Sequence, residues 1–333
     1  MRVIAEYGRD DLAKVYVASI REHAEMTKGH KSYIEFVESI QPPRGRDEKW
    51  VLIISSMIGC PVNCLMCDAG GYFKDLLTAE EILTQIKYMV NRRYPDGRPL
   101  TKKLKIQFAR MGEPSFNMAV LEVLESLPSM YDQSILYPSL STVAPLNKTS
   151  ELFFDKLIDI KDKFYTQSHF QLQFSIHTTD EEKRDILIPI KKWSFKEIAS
   201  YGERFTKTWD GDLKVTLNFA SVRDYPIDVK YLRDYFNPDC FLIKLTPVNP
   251  TIKAHKNCLS SYINPYNPHV SNDLTKEFKK YGYEVIISIG ELEENQIGSN
   301  CGQFIQQALN THKHGDIPDN SYNLDHYLKN KSE

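Results

Sequence analysis

Apolar and polar residues alternate through the first forty positions of the chain, the period-two pattern of half-buried strands. The pattern predicts strands over Arg2–Tyr7, Ala13–Ile20 and Tyr33–Ile40, with a turn at Gly8-Arg9-Asp10-Asp11 and a stop at Pro42-Pro43. From Trp50 the pattern changes. WVLIISS (50–56) is an apolar run of the kind a strand buried on both faces requires. Thr78-Ala-Glu-Glu81 is a capping box that opens a helix reaching about Arg93. Strands follow at Leu104–Ala109, Ile135–Ser141, Gln171–His177, Lys214–Phe219, Phe241–Thr246 and Glu284–Ile289. Between them, helices are predicted over Met118–Leu127, Thr149–Phe164, Phe195–Thr208, Val229–Phe236 and Asp273–Lys280.

Strand–helix alternation of this regularity means a parallel sheet, and this many units form a complete or partial (β/α) barrel more naturally than an open sheet. The expected fold class is therefore α/β. Its expected organisation is a small N-terminal β module over 1–45, a barrel core over 46–304 and an extension over 305–333, a stretch rich in Asn, Asp, His and Lys.

Composition narrows the partners. The 333 residues, 41% hydrophobic and 26% charged, are those of a soluble globular protein. No apolar run approaches the ~20 residues of a membrane span, and the opening MRVIAEYGRDD lacks the apolar stretch of a signal peptide. A cytoplasmic protein with no membrane partner is expected. Six cysteines are few for a disulfide scaffold, and three of them fall within eight residues, which speaks for a metal site in a reducing compartment. The net charge of -2 lacks the basic excess of a polyanion-binding domain, so no DNA partner is expected. The one dense basic run, from Arg92 to Lys105, reads as a solvated loop joining a helix to the next strand.

In a (β/α) barrel the chemistry sits at the C-terminal ends of the strands. The unusual residues fall there. The segment GCPVNCLMCDAGG (59–71) follows the first barrel strand, Met111-Gly-Glu-Pro114 the second, and Ser141-Thr142 the third. Ser175-Ile-His177 ends the fourth, and Pro247-Val-Asn249-Pro250 follows the sixth. Cys60, Cys64 and Cys67 make a C-x3-C-x2-C loop with no fourth cysteine nearby. Zinc prefers paired C-x2-C units and a fourth Cys or His. A ferredoxin cluster wants a fourth cysteine followed by Pro. Cys240, at a strand start, and Cys258, in a loop, read as packed or incidental thiols. Three thiolates alone favour a [4Fe-4S] cluster with one iron left open.

At this point the chain resembles the radical S-adenosylmethionine (SAM) superfamily, whose signature is C-x3-C-x2-C in that place. The resemblance implies a [4Fe-4S] cluster and SAM as cofactors, SAM chelated at the open iron, and its reductive cleavage to a 5'-deoxyadenosyl radical. An electron donor such as flavodoxin or ferredoxin is implied as a partner. Glu113 can accept from the ammonium of SAM and Gly112 lets backbone come close. Ser141, Ser175, His177 and Asn249 offer short polar contacts for a carboxylate, a ribose and an adenine edge.

The order of GC-x3-C-x2-C, MGEP, ST, SIH, RDILIPIKKW (184–193), TPVNP and NCGQF (300–304) is similar to the RlmN/Cfr branch of that superfamily, which methylates an adenosine of ribosomal RNA. The resemblance makes Cys301 the methyl-carrying cysteine and gives Glu38 a proton-accepting role, although in FVESI Glu38 by itself reads as a surface strand residue. Ile53 stands seven residues before Cys60, where the branch keeps a second cysteine that resolves the enzyme–RNA crosslink. Only a short strand module stands where the branch has a sizeable RNA-contacting domain. The Ser141-Thr142 loop is shorter than the usual STSG turn, and Arg110 replaces a small residue before MGEP.

The function expected on these grounds is methyl or methylene transfer through Cys301 to an RNA, a peptide or a small molecule. The alternatives are a radical SAM enzyme without methyl transfer, performing hydrogen abstraction, rearrangement or dehydrogenation, and a non-catalytic metal-binding protein.

Overall fold

Expected strand and helix positions recur in the computed structural model, which describes residues 1–21, 32–206, 213–264 and 272–289. The N-terminal strands are β1 (Arg2–Gly8), β2 (Ala13–Ile20) and β3 (Ser32–Ser39). Then come β4 (Trp50–Ile54), the short pair β5 (Met57–Gly59) and β6 (Phe73–Leu76), helix α1 (Ala79–Arg93) and β7 (Leu104–Phe108). The chain continues through α2 (Ala119–Met130), β8 (Leu136–Thr142), α3 (Lys148–Phe164), β9 (Gln171–Ser175), α4 (Glu181–Leu187) and α5 (Phe195–Thr206). It ends with β10 (Val215–Ala220), α6 (Val229–Tyr235), β11 (Phe241–Thr246), α7 (Ile252–Lys256), α8 (Asn272–Lys280) and β12 (Val285–Ile287).

The chain divides into two compact units. Of the described residues, the first holds those within 1–112 and 249–257, and the second those within 113–248 and 258–289. In the first, β1, β2, β3 and β4 pair antiparallel in that order, and β4 pairs parallel with β7. The N-terminal strands are thus hydrogen-bonded into the sheet through Val37 opposite Ile53 and Glu38 opposite Leu52. Every residue of β3 is buried, which removes the alternation that one solvated face would impose. Helix α1 begins with the capping box the sequence predicts: Thr78 accepts from Glu81 N–H, and the Glu81 carboxylate accepts from Thr78 N–H at 2.9 Å.

Two arginines at the start of the basic run, Arg92 and Arg93, close α1 and are anchored, whereas the stretch from 94 to 103 is the expected loop. Arg92 pairs with Glu6 at 2.7 Å, and Arg93 pairs with Asp10 at 2.6 Å and Glu38 at 2.7 Å. A helix end carrying two arginines is matched here by carboxylates of β1, β3 and the first turn, so Arg92 and Arg93 bind α1 to the N-terminal strands.

In the second unit β8, β9, β10, β11 and β12 are all parallel neighbours. Their core is aromatic. Phe154 of α3 lies 4.5 Å from Trp193 and 5.1 Å from Tyr201 of α5, ring centre to ring centre. The RDILIPIKKW segment serves this core: Arg184 donates to Trp193 O at 2.8 Å and lies over the Phe195 ring at 5.2 Å. Lys161, 1% exposed, donates to Phe205 O at 2.9 Å. Among the described residues no helix is long and apolar enough to cross a membrane.

Candidate active site

The cysteine loop belongs to the first unit, between β5 and β6. Gly59 has φ +78°, and a Cβ there would lie 2.1 Å from Tyr72 O, so only glycine permits this closure. Cys60 N–H donates to Tyr72 O at 2.9 Å, and inside the loop Cys67 N–H donates to Cys64 O at 3.1 Å. The side chains of Cys60, Cys64 and Cys67 are half-buried. Among the described residues no three His, Cys, Asp or Glu side chains are already gathered as a metal site.

A second segment of the same unit braces the loop from a distance of 185 sequence positions. Thr251, the N-cap of α7, donates to Met66 O at 2.8 Å. The buried Asp68 carboxylate accepts from Ile252 N–H and Lys253 N–H, each at 2.9 Å. Asn257 donates to Leu65 O at 2.8 Å, and Lys253 Nζ donates to Asn63 Oδ1. The bracing falls on residues between and beside the cysteines. Burial raises the Asp68 pKa, and the two backbone donors oppose that rise.

Behind the loop stands an apolar wall from the N-terminal strands. Tyr7, Val15, Val17, Tyr33, Val37, Ala69 and Met111 form a buried cluster, and Ile53, Cys60, Cys67 and Tyr72 pack against it. Ile53 therefore contributes bulk to the wall beside the loop. Next to it Arg110, 1% exposed at its side chain, pairs with Glu35 of β3 at 2.7 Å. A buried guanidinium here is balanced by a carboxylate brought in by the N-terminal module. Gly112 has φ +101°, and a Cβ would lie 2.5 Å from Met57 Cγ. Its close approach is thus to β5.

In the second unit Glu113 is buried and accepts from Ser115 Oγ at 2.8 Å, Thr142 Oγ1 at 2.5 Å and Ser115 N–H at 3.2 Å, all on Oε1. Among the described residues, Oε2 accepts only from Val143 N–H, at 2.9 Å, which leaves it acceptor capacity. Burial raises the Glu113 pKa, against the pull of these donors. Thr142 holds the carboxylate, whereas its neighbour Ser141 is half-buried and accepts from Gln173 Nε2 at 3.2 Å. Ser175 is the last residue of β9 and half-buried.

His177 lies two residues past β9, with φ +67°, instead of ending the strand. Its Nδ1 accepts from Ala220 N–H at 3.0 Å, which places the proton on Nε2. Burial, helped by the nearby Arg184 charge, lowers its pKa to about 4. The imidazole is neutral at physiological pH and is a donor through Nε2. Asn249 is exposed, just before α7, in the first unit.

Glu38 corrects the sequence reading. It is 2% exposed, and its carboxylate accepts from Tyr16 Oη at 2.5 Å, Trp50 Nε1 at 3.0 Å and Arg93 Nη2 at 2.7 Å. A carboxylate so engaged fixes β3 to β2, β4 and α1. Cys240 is half-buried beside β11 and Cys258 is exposed, and Cys301 lies outside the described residues.

The residues missed by the sequence reading are Asp68, Thr251 and Lys253, which act beside the three cysteines, while Thr142, named there only as part of the strand-end motif, holds Glu113 itself. Thr251 carries a local signal, as a Thr preceding a helix, but the partner 185 positions away has none.

No family model matches the chain. A solved radical SAM methyltransferase from Sphaerobacter thermophilus superposes on 90% of this chain and 80% of its own, with a TM-score of 0.67 at 18% identity. SuiB of Streptococcus suis, solved with S-adenosylmethionine bound, matches 81% of this chain and 53% of its own, with a TM-score of 0.50 at 12% identity. The fold is that of the radical SAM enzymes, the partial (β/α) barrel expected from strand–helix alternation. In sequence the chain is similar to proteins named RlmN, dual-specificity RNA methyltransferases. A probable RlmN of Thermosipho melanesiensis is 28% identical over 267 residues, 77% of this chain and 69% of that protein. Another, of Chlorobium phaeobacteroides, is 32% identical over 164 residues, 47% of this chain and only 41% of its own length.

Proposed function

We propose that the protein is an enzyme that holds one [4Fe-4S] cluster on Cys60, Cys64 and Cys67, binds SAM, and transfers a one-carbon group through Cys301 to an RNA. The observation that carries this reading is the braced three-thiol loop. Its donors are soft sulfurs, which suit iron–sulfur chemistry, and its shape is fixed by Asp68, Thr251 and Asn257. The residues therefore fit the cofactor. Held by these three thiolates, a cluster would supply the electron for reductive cleavage of SAM.

The chain's own groups bind and orient. Glu113 Oε2 retains the capacity to accept from an ammonium, and a buried carboxylate gains most from a cation at that position. Thr142 and Ser115 hold Glu113 in one orientation. Neutral His177 donates through Nε2 and, with a pKa of about 4, transfers no proton near pH 7. Ser141, Ser175 and Asn249 are the remaining polar contacts assigned to SAM. The names of the relatives support RNA as the substrate.

A second reading drops the methyl transfer and keeps the SAM cleavage. Ile53 favours it, because an alkyl side chain packed in the wall with Cys60 and Cys67 cannot attack a sulfur or take a proton. Anaerobic incubation with reductant and methyl-labelled SAM, followed by peptide mass analysis, separates the two. Methyl transfer predicts label on Cys301. An unlabelled Cys301 beside normal 5'-deoxyadenosine production selects the second reading.

A further inference from the structure

A cavity of about 410 Å³ opens in the second unit, within the ~300–1,000 Å³ typical of ligand sites. Its lining includes Lys183 of α4, Ser221, Asp224 and Tyr225 from the segment after β10, and Tyr262. Both α4 and the 221–227 segment follow the C-terminal ends of parallel strands, the side on which α/β folds bind ligands.

The lining offers three kinds of contact. Tyr225 and the 41%-exposed Tyr262 present aromatic surface. Lys183 Nζ lies 5.6 Å from the centre of the Tyr225 ring and donates to Asp224 O at 2.5 Å. Among the described residues it forms no ion pair, so two of its three N–H donors and its full charge remain for an anion. Asp224, with φ +68°, turns its carbonyl to Lys183 and brings a carboxylate to the rim, an acceptor for an amino group.

We propose that this cavity is a subsite for one nucleotide of a single-stranded RNA. The base stacks on Tyr225 and Tyr262, its exocyclic amino group meets Asp224, and a backbone phosphate pairs with Lys183. Stacking on aromatic rings beside a cation is how unpaired strands are held without reading a duplex. An aromatic peptide side chain would occupy the tyrosines and leave Lys183 without its anion. The proposal rests on RNA being the substrate and names where the strand is gripped.

The test is a fluorescence-anisotropy titration of the full chain with a labelled ten-nucleotide single-stranded RNA of mixed sequence at low salt. Tyr225→Ala should weaken binding about tenfold and Tyr225→Phe by less than about twofold, since the ring carries the contact. Lys183→Met should weaken binding and flatten the slope of log affinity against log salt by about one unit. Ultraviolet crosslinking of the wild-type complex should attach the RNA at Tyr225 or Tyr262. Equal affinity of wild type and Tyr225→Ala, both with an unchanged melting temperature, would overturn the proposal. So would crosslinks confined to other residues, or a Tyr225→Ala defect in SAM binding with RNA binding intact. The titration needs neither cluster nor SAM, so failure to cleave SAM would count against the proposed function and leave this result standing.

Discussion

His177 shows how one residue ties local backbone geometry to a measurable property. Its Nδ1 must stay unprotonated to accept from Ala220 N–H, and its pKa of about 4 lies below the ordinary 6.5. The unfolded chain therefore binds more protons than the folded one between these values, and stability rises with pH there. The contribution is complete above pH 6.5 and is lost as pH falls toward 4, about 3 kcal/mol in all and about 2 kcal/mol by pH 5. Urea denaturation at pH 7 and pH 5 should show His177→Gln losing about 2 kcal/mol less than wild type over that interval. Equal losses in the two proteins would mean that His177 is not buried as a neutral acceptor.

At the scale of elements, the joining of the N-terminal strands to the barrel strands rests in part on Glu35 and Arg110. Both are buried, and removing one partner takes a close opposite charge away from the other. Glu35→Gln should lower the unfolding free energy by about 3–5 kcal/mol in urea denaturation, and adding Arg110→Met should recover most of that loss. A loss under about 1 kcal/mol would show that the pair is solvated. This pair also marks where sequence reading stopped. The strands and most helices were legible because period-two alternation, apolar runs and the Thr78–Glu81 capping box are local signals. The β5–β6 hairpin, α4 and α7 were not, since each is far shorter than the window of about eleven or more residues over which a period is read. Glu38 read as a surface residue because alternation puts every second residue outside. Tyr16, Trp50 and Arg93 cover it, and none of them is near it in sequence.

For the whole molecule, the cysteines and Glu113 were legible as a spaced motif and a strand-end carboxylate, while their supports were not. Asp68 and α7 shape the loop through long-range hydrogen bonds, and Thr142 and Ser115 orient Glu113. The central claim is that three thiols on a braced loop equip this fold for SAM cleavage. It is tested most directly by anaerobic reconstitution with iron and sulfide, reduction with dithionite, and chromatographic measurement of 5'-deoxyadenosine after SAM is added. The account predicts 5'-deoxyadenosine from the wild-type chain and none above background from Cys64→Ser. A wild-type chain with a full complement of iron and sulfide that binds SAM and yields no 5'-deoxyadenosine would contradict it.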